Sequence, residues 1–593
     1  MIKEINVIIP KTASELEIFA AEELKFFLHT VSDVNAVITK EKGRSLSAPF
    51  ISVGETELFG DVNGIELIKE VGEDGYRIIS NHECAYICGG AGQGTIFGVY
   101  RFLKEFFNLK IYTETVYTYD FKPYELKNRD IIEKPDIPMR ALGIYPVHLE
   151  KREPDMGNKR YCYRMRLRQM DEGWGINNHC YFRVLPPSKY KDEHPDWYSE
   201  SGKQLCLTNK GVIAEYVKNM KAIIESSPDD SLYMIGMEDT LEQCHCKDCK
   251  AVIDEYGYSA LTLIFCNTVA KELNAWIKEV YPKRKVFFFT FAYVWAIEPP
   301  IKKVDGKFVP LVDGIEIEDN LGVLIAPLYT STNYCWNDPR AKEALTTNYY
   351  EKRIALVDIF NGWKAVVKNV AIWSYNHNFS DYMAPVPMWN GLEENFRYFK
   401  ELGAIHVFME AGTDERCNFS EMKIFVCANL MWNTALKQDQ LIKEFMSVYY
   451  AGAEKELYEY FTAIHKHAEW LKEKFNREMI FVQFDDEPNG RLLERRFWDK
   501  DILLGWLEIF DKALKKDLSE QVVDRVKTES LPVKFTLLYF YAKELDKNFA
   551  LSLIDDMLSI AEKEKMVKAI SEEEETFKAF AELWKKQING LTE

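Results

Sequence analysis

Residues 370–410 read VAIWSYNHNFSDYMAPVPMWNGLEENFRYFKELGAIHVFME. An apolar run stops at Tyr375, Asn376 and His377; a loop and a helix-forming stretch follow; a second apolar run stops at Glu410. Short continuous apolar runs on either side of a helix are the repeat of a parallel sheet, because strands covered on both faces need no polar alternation and parallel neighbours need a crossover. Working outward, runs of the same kind occur at MRALGIY, GINNHCYF, KQLCLTN, SLYMIGM, VFFFTFAY and GVLIAPLY. With the first two they make eight between residues 139 and 410, the count and spacing expected of a (β/α)8 TIM barrel.

The flanks read differently. Before the barrel, INVIIP, AVIT, FISVG, YRIIS and AYICGG alternate with the helix-forming TASELEIFAAEELKFFLHTV and TIFGVYRFLKEFF, the pattern of a small α/β module. Its glycines in GGAGQGTIFGVY lack the Lys-Ser/Thr pair and the downstream acid of a nucleotide site, so a tight turn is the better reading. Beyond Asn433 the chain is charged and helix-forming, with i,i+4 charge pairs. The expected fold is α/β multi-domain: an N-terminal α/β domain over 1–125, a central (β/α)8 TIM barrel over 136–435 and a C-terminal α-helical domain over 436–593.

The 593-residue chain carries a net charge of −18 with acids and bases interspersed, which leaves no basic footprint for a nucleic acid backbone. It has no stretch of about 20 apolar residues to span a membrane and no leader pattern at its start, so a cytoplasmic location is expected. Aromatic residues make up 14% of the chain, a surplus that suits a site stacking planar or pyranose rings. Nothing in the sequence fixes whether the protein forms a homo-oligomer.

Catalytic groups of such barrels sit at the C-terminal ends of the strands. Here those positions hold His179, Glu238 and Asp239, Tyr293, Tyr329, Tyr375 with Asn376 and His377, and Glu410. Adjacent carboxylates at one strand end can divide the work of glycosidic cleavage, one donating a proton and the other remaining ionised; a carboxylate pair capping the next helix is the structural alternative. Tyrosine hydroxyls at these positions either hydrogen-bond a substrate or close an aromatic layer over the barrel. Glu410 either binds sugar hydroxyls or pairs with Arg140, itself a candidate sugar anchor. His179 is either a substrate contact or a satisfied core histidine. Trp373, with Trp295, Trp336 and Trp389, is a candidate stacking platform.

LPPSKYKDEHPDWYSESGKQLCLTN, the CHCKDC cluster, AYVWAIEPP and the stretch from IWSYNHN to FMEAG together resemble the domain of unknown function 4838, classed as glycoside hydrolase family 163. The α/β module ending in GTIFGVYRFLKEF is similar to the domain that precedes the barrel in family 20 hexosaminidases and family 67 α-glucuronidases. The resemblance implies a retaining endo-β-N-acetylglucosaminidase type of enzyme acting on N-glycan-like oligosaccharides. Where that family more often carries Asn-Asp, this chain has Glu238-Asp239. Asp239 matches the family's acid, and Glu238 has the reach to be the proton donor. In substrate-assisted hydrolysis the substrate's 2-acetamido group is the nucleophile, so one acid orients the amide and the other protonates the leaving group. The alternatives are a non-catalytic carbohydrate-binding protein on the same barrel and an α-glucuronidase-like hydrolase.

No cofactor is expected for catalysis. The spacing C-x-C-x-x-C at Cys244, Cys246 and Cys249, with Cys206 upstream, offers four soft donors for a structural zinc that would pin the loop bearing the acids. His245 is a weaker fourth ligand, and free thiols or a disulfide are the alternative.

Overall fold

A computed structural model describes residues 2–42, 49–62, 64–144, 146, 157–312, 315–330, 334–344, 353–375, 378, 381–387, 389–411, 418–475, 492–569 and 576–590. The chain forms two compact units. The first is drawn from residues 1–169, 419–459 and 508–530, the second from 170–418, 460–507 and 531–593.

In the first unit a six-stranded sheet runs Asn35–Lys40, Glu4–Ile9, Phe50–Val53, Cys84–Gly89, Tyr76–Ser80 and Arg129–Glu133. The first four are mutually parallel, whereas Tyr76–Ser80 is antiparallel to both of its neighbours. Helix Glu15–Ser32 begins at a capping box in which the Ser14 side chain accepts from the Glu17 N–H and Glu17 reaches back to the Ser14 N–H. It buries Phe19, Leu24, Phe27 and Leu28. Helix Gly94–Phe107 follows the glycine turn. A Cβ on Gly89 would stand 1.9 Å from the Thr95 nitrogen, so this glycine serves close approach of strand and helix, as the tight-turn reading requires. From the later part of the chain, Trp432 stacks on Tyr76 with centroids 5.8 Å apart and meets Phe97 edge-on.

Strand Met139–Gly143, expected as the first barrel strand, does take a place in the seven-stranded sheet, last in its order, although its residues fall within the bounds of the first unit, whose interior holds Arg140. Arg140 is fully buried. Its guanidinium donates to Asp74 at 2.8 Å and to the carbonyls of Ile137, Pro138 and Arg166. Asp74, also fully buried, accepts as well from Arg168 at 2.7 Å. Arg140 is therefore not placed to anchor a sugar, because its donors are spent inside the protein. The alternative pairing with Glu410 is replaced by the one with Asp74.

In the second unit, parallel strands in the order Trp174–Ile176, Leu232–Met234, Phe287–Tyr293, Leu321–Ala326, Asn369–Tyr375 and His406–Glu410 curl into a half-barrel. Leu321–Ala326 is buried at every position, which accounts for its unbroken apolar run. Crossovers include helices Lys210–Ser226, Tyr258–Val280, Leu356–Val366 and Leu392–Leu402. The stretch KQLCLTN departs from expectation: apart from a single bridge between Leu205 and Tyr198 it is loop. Leu205, Cys206 and Leu207 are buried all the same, so the apolar signal was real and its cause was loop packing rather than a strand. Asn209, which closes the stretch, caps helix Lys210–Ser226 by accepting from the Gly211 N–H at 2.8 Å.

The named elements beyond Asn433 are helical, from Gln438–Tyr449 to Phe577–Ile588, with a short 3-10 turn at Arg495–Phe497. No helix among the described residues is long and apolar enough to cross a membrane.

Candidate active site

Strand Leu232–Met234 is followed by Ile235, Gly236 and Met237, all buried, before the chain surfaces at Glu238 and Asp239. The approach is tightly held. Gly236 O accepts from the N–H groups of Cys180 and Tyr181 at 3.1 and 3.0 Å, and the Ile235 N–H donates to Phe289 O at 2.7 Å. The Gln204 side-chain amide then grips the main chain of Glu238 on both sides. Its Nε2 donates to Glu238 O at 2.8 Å, and its Oε1 accepts from the Glu238 N–H at 3.2 Å. Two hydrogen bonds from one amide fix both position and rotation of the peptide, which is what an acid at a strand end needs to hold its aim.

The two acids have different surroundings. Glu238 is half-buried, and its Oε1 accepts from the Phe182 N–H at 2.8 Å, which steadies the side chain while Oε2 has no partner among the described residues. Asp239 is exposed, and its Oδ1 accepts from the Tyr293 hydroxyl at 3.1 Å. Tyr293 is the last residue of the neighbouring strand Phe287–Tyr293, so parallel register alone brings phenol and carboxylate together. His179 lies in the same group. One ring nitrogen meets Met237 O, and the ring stacks on Phe291 at 5.0 Å and lies 5.9 Å from the Tyr293 ring. The backbone contact belongs to a satisfied histidine; the other ring nitrogen leaves a substrate contact open as well.

Farther along the same edge of the sheet, Tyr375 is paired in register with Glu410. The Trp373 indole N–H donates to Glu410 Oε2 at 2.8 Å, and the Trp373 ring meets Phe408 edge-on at 4.5 Å. Trp373 is half-buried. Tyr329 and Tyr375 are buried, as are Trp336 and Trp389, which removes those two tryptophans as exposed platforms. Asn376 and His377 lie outside the described residues. The site therefore gathers Glu238, Asp239, His179 and Tyr293 closely, sets Trp373, Tyr375 and Glu410 on the same strand-end edge, and leaves Arg140 out. Gln204 and the Phe182 amide escaped the sequence reading, the first because it sits in the stretch taken for a strand, the second because a main-chain donor has no signature in sequence.

Immediately beyond the acids, Cys206, Cys244, Cys246 and Cys249 bring their four sulfur atoms within 4.8 Å of one another. His245 is exposed and stands apart from this group. Elsewhere, a cavity of about 760 Å³ lies in the first unit, lined among others by Lys104, Arg166, Asn429 and Trp432; none of the acid pair's neighbours reaches it.

Residues 112–462 match the family model described as "Domain of unknown function (DUF4838)". No curated protein matches the sequence. Among solved structures, the chain is similar to a family GH115 4-O-methyl-α-glucuronidase with specificity for decorated arabinogalactans: 12% identity, TM-score 0.56, covering 95% of this chain and 76% of that one. A GH20 exo-β-N-acetylglucosaminidase from Vibrio harveyi matches at 11% identity and TM-score 0.37, over 76% of this chain and 74% of that one. At 12% identity the likeness to the glucuronidase is one of fold.

Proposed function

Given that the chain belongs to the DUF4838 family, we propose that it is a glycoside hydrolase that cleaves β-N-acetylglucosaminide linkages in N-glycan-like oligosaccharides by substrate assistance, with Glu238 and Asp239 as the working acids. The observation that carries this reading is the Tyr293 hydroxyl 3.1 Å from Asp239 Oδ1, with Glu238 fixed beside it by the Phe182 N–H and by Gln204. That arrangement leaves one oxygen of each acid to face a sugar.

In the proposed reaction the substrate's acetamido oxygen attacks the anomeric carbon as the glycosidic bond breaks. Asp239, aligned by Tyr293, accepts a hydrogen bond from the acetamido N–H and stabilises the positive charge that spreads onto the amide as the ring closes. Glu238 gives its proton to the departing oxygen. It then takes a proton from the water that opens the cyclic intermediate, which returns the anomeric configuration to its starting state and the acid to its protonated form. Trp373, its indole N–H held by Glu410, would offer its ring to a neighbouring sugar. Catalysis on this scheme uses no metal or organic cofactor.

The fold likeness to a glucuronidase supports a second reading, a uronic acid substrate, for which exposed Arg183 beside Phe182 is the cation best placed. Aryl β-N-acetylglucosaminides, released N-glycans and aryl glucuronides assayed side by side separate the two; turnover of any of them sets aside a purely binding role. Glu238→Gln and Asp239→Asn are each expected to lower kcat by ~10²-fold or more with melting temperature preserved. A thiazoline analogue of N-acetylglucosamine should inhibit far more tightly than the free sugar, because it mimics the cyclised intermediate. Wild-type rates in both variants would remove the acids from the mechanism.

A further inference from the structure

Four cysteines in a chain with no need of a disulfide framework converge on one point next to the acid pair. Cys206 Sγ lies 3.6 Å from Cys246 Sγ and 3.8 Å from Cys249 Sγ. A tetrahedral ion with metal–sulfur bonds of about 2.3 Å sets its sulfurs about 3.8 Å apart. A disulfide would need about 2.05 Å, and unligated thiols have no reason to gather four at a time. Cys206, Cys244 and Cys249 are buried and Cys246 is half-buried, so the cluster is largely withdrawn from solvent.

The surroundings suit an anionic thiolate cluster. The Thr208 hydroxyl lies 3.2 Å from Cys249 Sγ, where it can donate a hydrogen bond, and the Cys249 N–H donates to Cys246 Sγ at 3.4 Å. Cys246 is the N-cap of helix Lys247–Tyr256 and Cys249 lies in its first turn, so the positive end of the helix dipole faces the sulfurs. All-thiolate donors in tetrahedral spacing select zinc over magnesium, calcium or manganese.

We infer that Cys206, Cys244, Cys246 and Cys249 bind one zinc ion as a closed four-thiolate site that holds the turn carrying Glu238 and Asp239. Four protein ligands leave no position for water or substrate, so the ion has no part in bond cleavage. Its effect is mechanical. Cys206 lies two residues beyond Gln204, whose amide grips the Glu238 main chain, and Cys244 lies five residues beyond Asp239. Joining Cys206 to the Cys244–Cys249 turn therefore closes a ring around the acid pair from both sides. The binding half of this inference stands on the sulfur geometry alone; the positioning half rests on the reading of Glu238 and Asp239 given above.

The test begins with metal content. Protein purified without chelator should carry about one zinc per chain by elemental analysis, and cobalt(II) exchanged for it should show the intense thiolate-to-cobalt absorption of a tetrahedral sulfur site. Cys206→Ser should lose zinc and melt at lower temperature; kcat should fall more than KM rises, as expected when the acids lose alignment and sugar contacts survive. If that variant does not fold, zinc content and the cobalt spectrum of the unaltered chain decide the matter. Absence of metal together with absence of a tetrahedral cobalt spectrum overturns the site. A zinc-depleted but folded Cys206→Ser protein with unchanged kcat overturns the positioning role. Because metal is counted without substrate, failure of the glycosidase reading leaves the first result intact.

Discussion

Replacing Asp74 by Asn removes the carboxylate that lies between the guanidinium groups of Arg140 and Arg168. Arg168 keeps Glu73 at 2.7 Å, but Arg140 is left without an anion, facing carbonyl oxygens and the Phe97 and Trp432 rings in a site with no solvent exposure. Removing one partner of a buried ion pair costs about 3–5 kcal/mol, because the remaining charge stays desolvated and unpaired. At ~1.4 kcal/mol per tenfold, local opening of strand Met139–Gly143 should rise roughly a thousandfold. Hydrogen–deuterium exchange of peptides covering that strand reads the change directly, at substrate-free neutral pH. A pH series adds a second check. Burial raises the Asp74 pKa, but the two guanidinium groups more than offset this and hold it below its ordinary 3.8. The stability it supplies is therefore fully present above about pH 3.8 and is lost as pH falls through the lower folded value. The deficit of the variant against wild type, measured by urea denaturation, should be constant down to about pH 4 and shrink below it. Unchanged exchange with a raised KM would refute the reasoning and return Arg140 to substrate binding.

Tyr293→Phe removes the hydroxyl that donates to Asp239 and keeps the ring. A hydrogen bond to a charged group contributes about 1.5–3 kcal/mol, and since Asp239 is exposed the low end applies, so kcat should fall about tenfold with the melting temperature unchanged. A loss of stability in place of rate would show that the phenol serves packing. Gly236→Ala would set a Cβ 2.6 Å from Asn178 O and 2.8 Å from Met234 Cγ, in a segment whose main chain is already tied to Cys180 and Tyr181. Overpacking of this kind costs about 1–3 kcal/mol, and calorimetry should show a lower melting temperature along with reduced turnover as the acids shift; wild-type values of both would mean the strand end yields freely.

Elements whose signal is local were legible in the sequence. VAIWSYN and AIHVFME supply Asn369–Tyr375 and His406–Glu410 because most positions of each strand are buried, so both faces are covered. KQLCLTN has the same composition for another reason: its Leu and Cys side chains are buried within a loop that converges on the thiol cluster, and a window of seven residues cannot tell the two apart. The grouping of Cys244, Cys246 and Cys249 was legible because soft donors at short spacing are rare, and three of them in one loop call for a fourth, which Cys206 upstream supplies. Arg140 was not, because its partner Asp74 stands in an ordinary turn, GEDGY, far upstream. Trp373 bonding to Glu410 depends in the same way on register between strands 37 positions apart, which periodicity does not contain.

The first unit takes its parts from three stretches, the last ending at Ser530. During synthesis the opening stretch has left the ribosome long before Trp432 arrives to cover Tyr76, or Glu529 to accept the Phe419 N–H and the Tyr450 hydroxyl. At about 5–20 residues per second the interval from residue 169 to residue 530 is roughly 20–70 s. Through that time the nascent module must hold its sheet together with an uncovered aromatic face. A chain halted before Ser530 would carry that face indefinitely.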